Sequence, residues 1–567
     1  MVQILLGGRC RSARSRRHTR IWAFAGVLLS AMEAAWCFEI DTGNADVAVR
    51  WDNNLRYTYA RRVQGQDKVI LRNNNNDDGD RNFDKGAILN RLDLLSEFDL
   101  TYKGAHGFRV SGAAWYDPTY GGSFDNSSLA TSNHLRDGVP ALGISSYAKS
   151  RYYRGGELLD AFVFGQAMLG EMKLNAKFGR HTIFWGESLG FGGLLHSIAY
   201  SQGPTDVAKA LATPGVDAKE VFRPIENLSA QLQVNDRLSL AVQKMLDWEP
   251  VRLPEAGTYY GTNDAAHWGG ETVFVGATRI PRASSIVTNN KRRDYGLALR
   301  WSPEVLDGTI GLYYRNFTDT LPQVLADLRG APASYRYRMA YADDIDLYGL
   351  SLSKNIAGIS FGLDLSYRKN MPLVSDTAAV GAVLGGPLNS TYYPSAGDVP
   401  GARGNTAHAV FNMLGVVSKT LLFDTASWNA EFSYSRWLKV TEREYLFKGR
   451  DGYNLIDRVS KDAMQLSLGF TSTWFQVFPG VDLSMPLSWS RGLYGNAATL
   501  LAGSKNAGNY SIGLAADVRQ TYRFDLKYNG YFGKDAPNAT NTADVFNGTY
   551  ALLRDRGNIS LTFRAAF

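Results

Sequence analysis

Polar and apolar residues alternate along segments of about ten residues throughout this chain, and that period constrains the fold most strongly. Segment 359–368 reads ISFGLDLSYR, with apolar residues at odd positions and polar residues at even ones. A period of two separates the two sets onto opposite faces of a strand, whereas a helix would mix them around its circumference. About ten residues is also the length of a tilted strand that crosses a membrane.

Eighteen such segments can be counted, and the links between them are alternately long and short. The segments begin near 47, 92, 108, 158, 172, 228, 238, 295, 310, 347, 359, 409, 428, 464, 481, 510, 522 and 559. Long outer loops and short periplasmic turns are typical of outer-membrane barrels. We therefore predict an all-β, transmembrane, antiparallel up-and-down barrel of about 18 strands, with 16 as the alternative. Both chain termini should be periplasmic. The long links are expected at 60–90, 117–157, 179–227, 247–294, 318–346, 368–406, 438–463 and 532–558.

The first 37 residues have the pattern of an export signal. Six arginines precede the apolar core Ile21–Ala31, and small residues follow up to Cys37. We expect cleavage after Cys37, which leaves residues 38–567 as a single barrel without cysteine. An acylated lipoprotein is disfavoured by Trp36, since that position normally takes a small residue. Removal of the signal lowers the formal charge from +7 to about +2, which gives no reason to expect a nucleic-acid partner.

The last strand alternates from Ile559 to a terminal Phe567. This ending resembles the signal that the barrel-insertion machinery reads, so that machinery is an expected partner together with outer-membrane lipid. Aromatic residues near strand ends fit the belts that form at membrane surfaces. The mean hydropathy of −0.23 is too polar for a bundle of membrane helices. It suits a barrel, because lipid-facing and lumen-facing residues average out.

The link 179–227 is too apolar for a free surface loop, so we expect it to fold inward as a gate or plug. A short helix is predicted from Thr205 to Ala212, capped by Thr205 or Asp206 and followed by Pro214-Gly215. A loop packed on the barrel rim is the alternative. The candidate substrate or gate residues are Arg180, His181, Trp185, Glu187, Gln202, Asp206 and Arg223.

Charged residues occupy only one face of the alternating segments, and their signs are mixed. A water-filled lumen with ion pairs explains this pattern better than an ion-selective ladder. The lumen-lining candidates are Asp93, Glu97, Asp99, Arg109, Asp364, Arg368, Glu431, Asp525, Lys527 and Arg564.

No motif predicts a catalytic centre, a metal site or a cofactor. The run 73–80, NNNNDDGD, has partial calcium-loop spacing, but Lys85 stands where the closing acidic ligand should be. The seven histidines form no paired ligand motif. None is followed by a serine two residues later, the His-x-Ser spacing that nucleophilic catalysis on one strand face would need.

Several motifs together resemble the domain-of-unknown-function 1302 family, which consists of predicted outer-membrane barrels of proteobacteria. They are Phe38–Asp41, Arg50–Asn53, Asn90–Phe98, Gly179–His181, Trp185–Ser188, Ser201–Pro204 and Asp247–Pro250. The resemblance spans nearly all of residues 38–567 and supplies no catalytic residues. It implies association with an outer-membrane lipoprotein family and with inner-membrane exporters of the resistance-nodulation-division (RND) type, and hence traffic of lipid- or sterol-like compounds.

We therefore expect a Gram-negative outer-membrane protein, exported by a Sec-type route, that passes hydrophobic or amphipathic small molecules and is not an enzyme. A general or sugar-type porin is one alternative. A lipid-acting membrane enzyme and a structural or adhesive barrel are the others.

Overall fold

A closed antiparallel barrel dominates the computed structural model, which describes residues 38–213, 216, 218–265, 268–287, 294–381, 389–390 and 392–567. The expected signal peptide, residues 1–37, lies outside the described residues. The main sheet has 19 strands, of which Phe38–Ile40 pairs with a single neighbour. The other eighteen, β1 to β18, are Val47–Arg62, Ala87–Tyr102, His106–Tyr116, Arg154–Leu169, Met172–His181, Ile225–Asn235, Leu238–Met245, Tyr295–Trp301, Gly308–Phe317, Ile345–Ile356, Ile359–Pro372, Arg403–Val417, Thr425–Glu442, Asp462–Phe478, Val481–Tyr494, Gly508–Val518, Tyr522–Phe532 and Asn558–Ala566.

The barrel closes where the first strand meets the last. β1 pairs with β2 along one edge and with β18 along the other, antiparallel in both cases. The predicted barrel of about 18 strands is confirmed. The largest difference between predicted and observed starts is in β12, which was expected near 409 and begins at Arg403.

Nine long loops leave one end of the barrel, and eight short turns and both chain ends occupy the other. We name the loops L1 to L9; they cover 63–86, 117–153, 182–224, 246–294, 318–344, 373–402, 443–461, 495–507 and 533–557. L8 is not among the expected long links, because its run Ala497–Ala502 is apolar and resembles a strand continuation. Short pieces of sheet within L4 to L6 include the hairpin Thr272–Pro281.

Five short helices lie in the described parts of the loops. They are α1 to α5, with bounds Asp78–Arg81, Ser146–Tyr152, Phe191–Leu194, Val207–Ala212 and Ala218–Val221. The predicted short helix is α4, and Asp206 caps it by accepting a hydrogen bond from the Lys209 N–H at 2.7 Å. The expected Pro214-Gly215 stop lies outside the described residues. Among the residues that the structure describes, no helix combines the length and the apolar character that a membrane crossing requires.

The two faces of the barrel wall differ in chemistry. Large apolar side chains stand exposed on the outward face, among them Leu94, Val163, Phe178, Leu297, Leu312, Leu365, Leu468, Ile512 and Leu561. The inward face carries buried polar and charged side chains, including Arg56, Asp93, Arg315, Asp364, Arg368 and Glu431. A polar interior and an apolar exterior are the reverse of a water-soluble fold.

Candidate functional site

Loop L3 crosses the interior of the barrel. On one side Glu220, at the end of α5, pairs with Arg56 of β1 at 3.0 Å. On the other side the Glu187 N–H donates to Asp364 Oδ1 of β11 at 3.0 Å. In a barrel of eighteen strands β1 and β11 stand nearly opposite each other, so L3 contacts both walls and divides the lumen.

Two carboxylates on the wall bind backbone N–H groups of L3. Asp364 Oδ2 accepts from the Ile198 N–H at 3.4 Å, in addition to its contact with Glu187. Glu431 of β13 accepts from the N–H groups of Leu189, Gly190 and Gly193 at 2.5, 3.3 and 3.1 Å. Hydrogen bonds to ionised groups are stronger than neutral ones. The loop is therefore held through its main chain.

Two arginines on neighbouring parts of the wall bind the carbonyl groups of the same segment. Arg368 of β11 donates to Leu195 O at 3.0 Å and to Ser197 O at 2.9 Å. Arg315 of β9 donates to Ile198 O at 2.8 Å and to Tyr200 O at 2.7 Å. Both guanidinium groups are fully buried. Segment 187–200, which we call the clamped segment, thus lies between carboxylates that face its N–H groups and guanidiniums that face its carbonyls.

The start of L3 packs tightly on the wall. Trp185 stacks near Tyr313 of β9, with ring centroids 5.8 Å apart. Gln202 accepts from the Trp185 N–H at 2.7 Å and donates to Gln243 of β7 at 2.8 Å. Gly186 has φ of +96°, and any side chain there would collide with the Asp364 carboxylate. This close approach explains why glycine stands between Trp185 and Glu187.

Two histidines join L3 to the wall and to another loop. His196 Nδ1 and His408 Nδ1 of β12 are 3.0 Å apart, and His196 Nε2 donates to Ala502 O of L8 at 2.9 Å. A carbonyl can only accept, so His196 carries its proton on Nε2 and His408 Nδ1 is the donor when both rings are neutral. The pair is buried and serves as a fixed junction.

A chain of ion pairs anchors the second half of L3. Lys209 of α4 pairs with Glu220 at 3.0 Å, and Glu220 pairs with Arg56, which lies 3.7 Å from Asp93 of β2. Asp206 pairs with Arg252 of L4 at 3.2 Å. Because these pairs are mutually satisfied and largely buried, they fix the loop and offer no free charge to a solute.

Three of the candidate gate residues lie at the outer end of the wall. Arg180, at the end of β5, pairs with Glu249 at 3.2 Å, and Arg223 binds the other oxygen of that carboxylate. His181 lies against Gly179 O at 2.9 Å and Ser229 Oγ at 2.8 Å. These contacts belong to the junction of β5, β6, L4 and the end of L3, whereas Trp185, Glu187, Gln202 and Asp206 lie further inside L3.

The remaining lumen candidates line the wall towards the end with the short turns. Arg109 and Asp99 pair at 2.6 Å, and Asp525 pairs with both Arg523 and Arg564, at 3.1 and 3.3 Å. Glu97 faces inward from β2, and Lys527 from β17, in the same rows. Most of these charges are paired with the opposite sign, as the mixed pattern in the sequence indicates.

Sequence reasoning missed four inward residues that matter here. Arg315 lies in the run LYYR, where the inward Tyr313 is as bulky as its outward neighbours and hides the alternation of polar and apolar residues. His408 lies in a segment where this alternation is weak. Phe162 and Phe164 also face inward, on the weakly alternating β4. Strict alternation was the only signal that pointed to lumen residues, and it fails where both faces carry bulky side chains.

The outer loops form a roof above L3. L4 extends from the end of β7 across to the start of β18. There the Tyr259 hydroxyl donates a hydrogen bond to the Arg556 carbonyl oxygen at 2.7 Å. Burial raises the pKa of Glu255 in L4 to about 7, although its carboxylate accepts from the Gly269 N–H at 2.6 Å. Burial next to other carboxylates raises the pKa of Asp78 in L1 and of Asp264 in L4. Asp78–Arg81 forms helix α1, not a calcium loop.

A cleft within L3 is mostly apolar. Ile183, Phe184, Leu194, Leu195 and Phe222 line it together with Leu321 of L5, and its polar lining includes Ser201, Gln202 and Arg223. In the described part of the chain, no group of three or more histidine, cysteine or acidic residues is arranged to hold a metal ion.

Comparisons with known proteins identify one family and several distantly similar structures. The sequence model of the family described as "Protein of unknown function (DUF1302)" matches residues 16–567. No curated protein matches the chain. Among solved structures, the chain is similar to OccAB1 of Acinetobacter baumannii, with 9% identity, coverage of 94% and 98%, and a TM-score of 0.39.

Two further structures show a similar degree of likeness. OccK2 (OpdF) of Pseudomonas aeruginosa, in complex with glucuronate, has 10% identity, coverage of 92% and 97%, and a TM-score of 0.36. The outer-membrane channel DcaP of Acinetobacter baumannii has 11% identity, coverage of 94% and 99%, and a TM-score of 0.34. At these identities and TM-scores, the likeness supports no conclusion about individual side chains or about a solute.

Proposed function

The chain belongs to the DUF1302 family, and from its geometry we propose that it is an outer-membrane channel for hydrophobic or amphipathic small molecules, gated by loop L3. The observation that carries the proposal is the clamped segment 187–200, held inside the barrel against β9, β11 and β13. Asp364 and Glu431 bind its N–H groups, and Arg368 and Arg315 bind its carbonyls.

The outer membrane of a Gram-negative bacterium is the proposed location, reached by Sec-type export. The apolar outward face needs lipid as its solvent, because exposed Leu, Val and Phe cover the strands. We place the short turns and both termini in the periplasm and L1 to L9 outside the cell. The barrel-insertion machinery is the proposed partner of the last strand.

A barrel of this strand number encloses a lumen wide enough for water and solutes unless something fills it. L3 fills it through hydrogen bonds and ion pairs, and through apolar packing of Trp185, Leu195 and Ile198 on the wall. Water can replace the polar contacts at low net cost. We therefore assign the gating role to L3.

The apolar cleft within L3 supports a solute with a hydrocarbon body. Ile183, Phe184 and Phe222 offer apolar contact, whereas Gln202 and Arg223 can orient a polar end. A lipid- or sterol-like compound combines both features. We propose further, from the family resemblance, that an outer-membrane lipoprotein and an RND-type exporter work with this channel. No catalytic step forms part of the proposal.

A disulfide between L3 and the wall tests the gate. A Cβ placed on Gly362 of β11 would lie 2.9 Å from the Glu187 Cβ, so a small outward shift of L3 brings the pair to the ~3.8 Å of a natural disulfide. In a chain without its export signal, which holds both native cysteines, we expect Glu187→Cys with Gly362→Cys to cross-link on oxidation. Single-channel recording should then show the opening events disappear and return on reduction.

Each single cysteine variant is the control for the effect of substitution alone. If the oxidised double variant opens as often as the reduced one, L3 does not move during opening and the gate proposal is wrong. If neither form conducts at any voltage or solute concentration, the channel proposal itself fails.

A further inference from the structure

Two phenylalanines face the lumen on β4. Phe162 stands opposite Arg109 of β3 and Gly179 of β5, and Phe164 stands opposite Lys177. Between them Val163 is 55% exposed on the outward face, so the alternation places both rings inside. Their centroids are 6.3 Å apart. Most other strand aromatics in this barrel face outward, which makes this inward pair unusual.

A lysine lies directly beside these rings. Lys177 Nζ is 5.1 Å from the centroid of the Phe162 ring. Its side chain is exposed although it faces the lumen, as are Lys173 and Asn175 on the same face of β5. L3 therefore leaves this part of the wall open to water.

The lysine is not neutralised by a contact ion pair. Within the described residues, no carboxylate lies within 4 Å of Lys177, whereas the nearby Arg109 is paired with Asp99 at 2.6 Å. Asp160, Glu97 and Arg109 are further charged groups near this part of the wall. The pair of rings and an available ammonium group form one continuous surface, apolar on one side and cationic on the other.

We propose that Phe162, Phe164 and Lys177 form a lumenal binding site for amphipathic monoanions with a hydrocarbon body and one carboxylate. The apolar body would lie on the two rings and the carboxylate would contact Lys177. This inference rests on the proposed channel function and names the solute class that the channel takes. A partly exposed ring next to a cation favours such a solute, because burial of apolar area on binding supplies affinity and the charge fixes the orientation of the solute.

Current block by three small probes tests this site in single channels in a planar bilayer. The probes are octanoate, acetate and octylammonium, which separate the contributions of the carboxylate and of the hydrocarbon body. We expect octanoate to block the wild-type current at the lowest concentration. Lys177→Gln should weaken the octanoate block about two- to fivefold, the size typical of a partly exposed ion pair. It should leave the octylammonium block unweakened.

Two further variants separate the components of the site. Phe162→Ala with Phe164→Ala should weaken the octanoate block and leave the weak acetate block unchanged. Lys173→Gln, four residues away on the same face of β5, is the matched control for loss of one positive charge in the lumen. It should change the octanoate block less than twofold, since Lys173 has no ring beside it.

The possible outcomes distinguish the site from the channel. Equal octanoate block in wild type, Lys177→Gln and the double Phe variant overturns the site, even though conduction then still supports a channel. A hexose that blocks as strongly as octanoate, and depends on the two rings but not on Lys177, also overturns it and indicates a sugar-type porin. If no current is recorded, equilibrium binding of octanoate to the protein in nanodiscs, compared between wild type and Lys177→Gln, decides the site on its own.

Discussion

Single wall residues hold a long loop in this barrel because each binds the main chain at several points. The Glu431 carboxylate accepts hydrogen bonds from the N–H groups of three L3 residues. Arg315 and Arg368 each bind two carbonyls. These main-chain contacts use no side chain of L3, although Gly186 and Gly193 leave no room for one, and they are lost when the wall residue changes. The consequences of mutation should therefore be larger on the wall than on L3.

Substitution Glu431→Gln should loosen the clamped segment. The amide retains one accepting oxygen, but its NH₂ group faces N–H donors that it cannot bind. Loss of charged hydrogen bonds of this kind costs about 1.5–3 kcal/mol. We expect more frequent openings in single-channel recordings at unchanged barrel stability in the gel-shift assay. Asp525→Asn is the control, because Asp525 contacts Arg523 and Arg564 and no part of L3. Equal effects of both variants would contradict a specific role for Glu431.

Loops L3 and L4 are the elements that distinguish this barrel from an open tube. L3 crosses the lumen, and L4 covers the mouth above it by packing on L1, L2 and L9. L4 also pairs with L3 through Arg252 and Asp206. The two loops therefore form one structural unit, and a change in the local stability of L4 should reach the gate.

The stability of L4 should fall as pH rises between about 4.5 and about 7. Burial raises the folded-state pKa of Glu255 from 4.5 to about 7. The folded loop therefore keeps the proton in this range while the unfolded loop loses it, and above pH 7 the buried carboxylate must ionise. We expect faster hydrogen exchange in segment 255–261 at pH 8 than at pH 5, after correction for the intrinsic rate. Asp264, also buried in L4, has the same direction of shift.

The variant Glu255→Gln gives the control for this pH effect. Its neutral amide should reduce the difference in hydrogen-exchange rate between the two pH values. The difference that remains gives the contribution of Asp78 and Asp264. An exchange rate in the wild-type loop that is independent of pH after correction would show that Glu255 does not titrate in this range.

At the scale of the whole molecule, the barrel depends on a seam between its first and last strands. The terminal Phe567 exchanges two backbone hydrogen bonds with Asn53, at 2.7 and 2.9 Å, just beyond the end of β18. The strand Phe38–Ile40 then continues along β1, opposite Val49, Arg50 and Trp51. The first described strand and the last residue of the chain thus both lie in the seam.

The substitution Phe567→Ala distinguishes two contributions of this residue. One is its backbone hydrogen bonds at the seam, and the other is its aromatic ring as the proposed insertion signal. The variant keeps both backbone hydrogen bonds, so spontaneous folding into liposomes should give a heat-modifiable barrel as wild type does. Assembly in cells should fall several-fold if the insertion machinery reads the terminal aromatic ring. Deletion of Phe567, which removes the hydrogen bonds as well, is the comparison. Normal assembly of Phe567→Ala in cells would remove the basis for that partner.

Much of the fold could be predicted because the pattern that encodes it is local. Each strand needs only its own alternation to define which face meets lipid, and each link length is visible in the chain. The alternation of polar and apolar residues is weakest in β4, β10 and β12. Of all the strands, β12 has the largest difference between the predicted start and the start in the structure. Asp364, Arg368 and Glu431 could be proposed as lumen residues for the same reason, since charge on a strand indicates the inward face.

The sequence by itself determined the strand number, the order of strands and the inward face of most of them. Only the tertiary structure decided which groups meet inside the barrel. Glu220 and Arg56 are 164 residues apart in the chain, and His196 and His408 are 212 apart. Such contacts depend on the path of an irregular loop across a closed wall, and no local period encodes that path. The inward-facing residues of the wall are therefore predictable from the sequence, whereas the contacts of L3 and the residues of the proposed binding site are defined only once the wall has closed around L3.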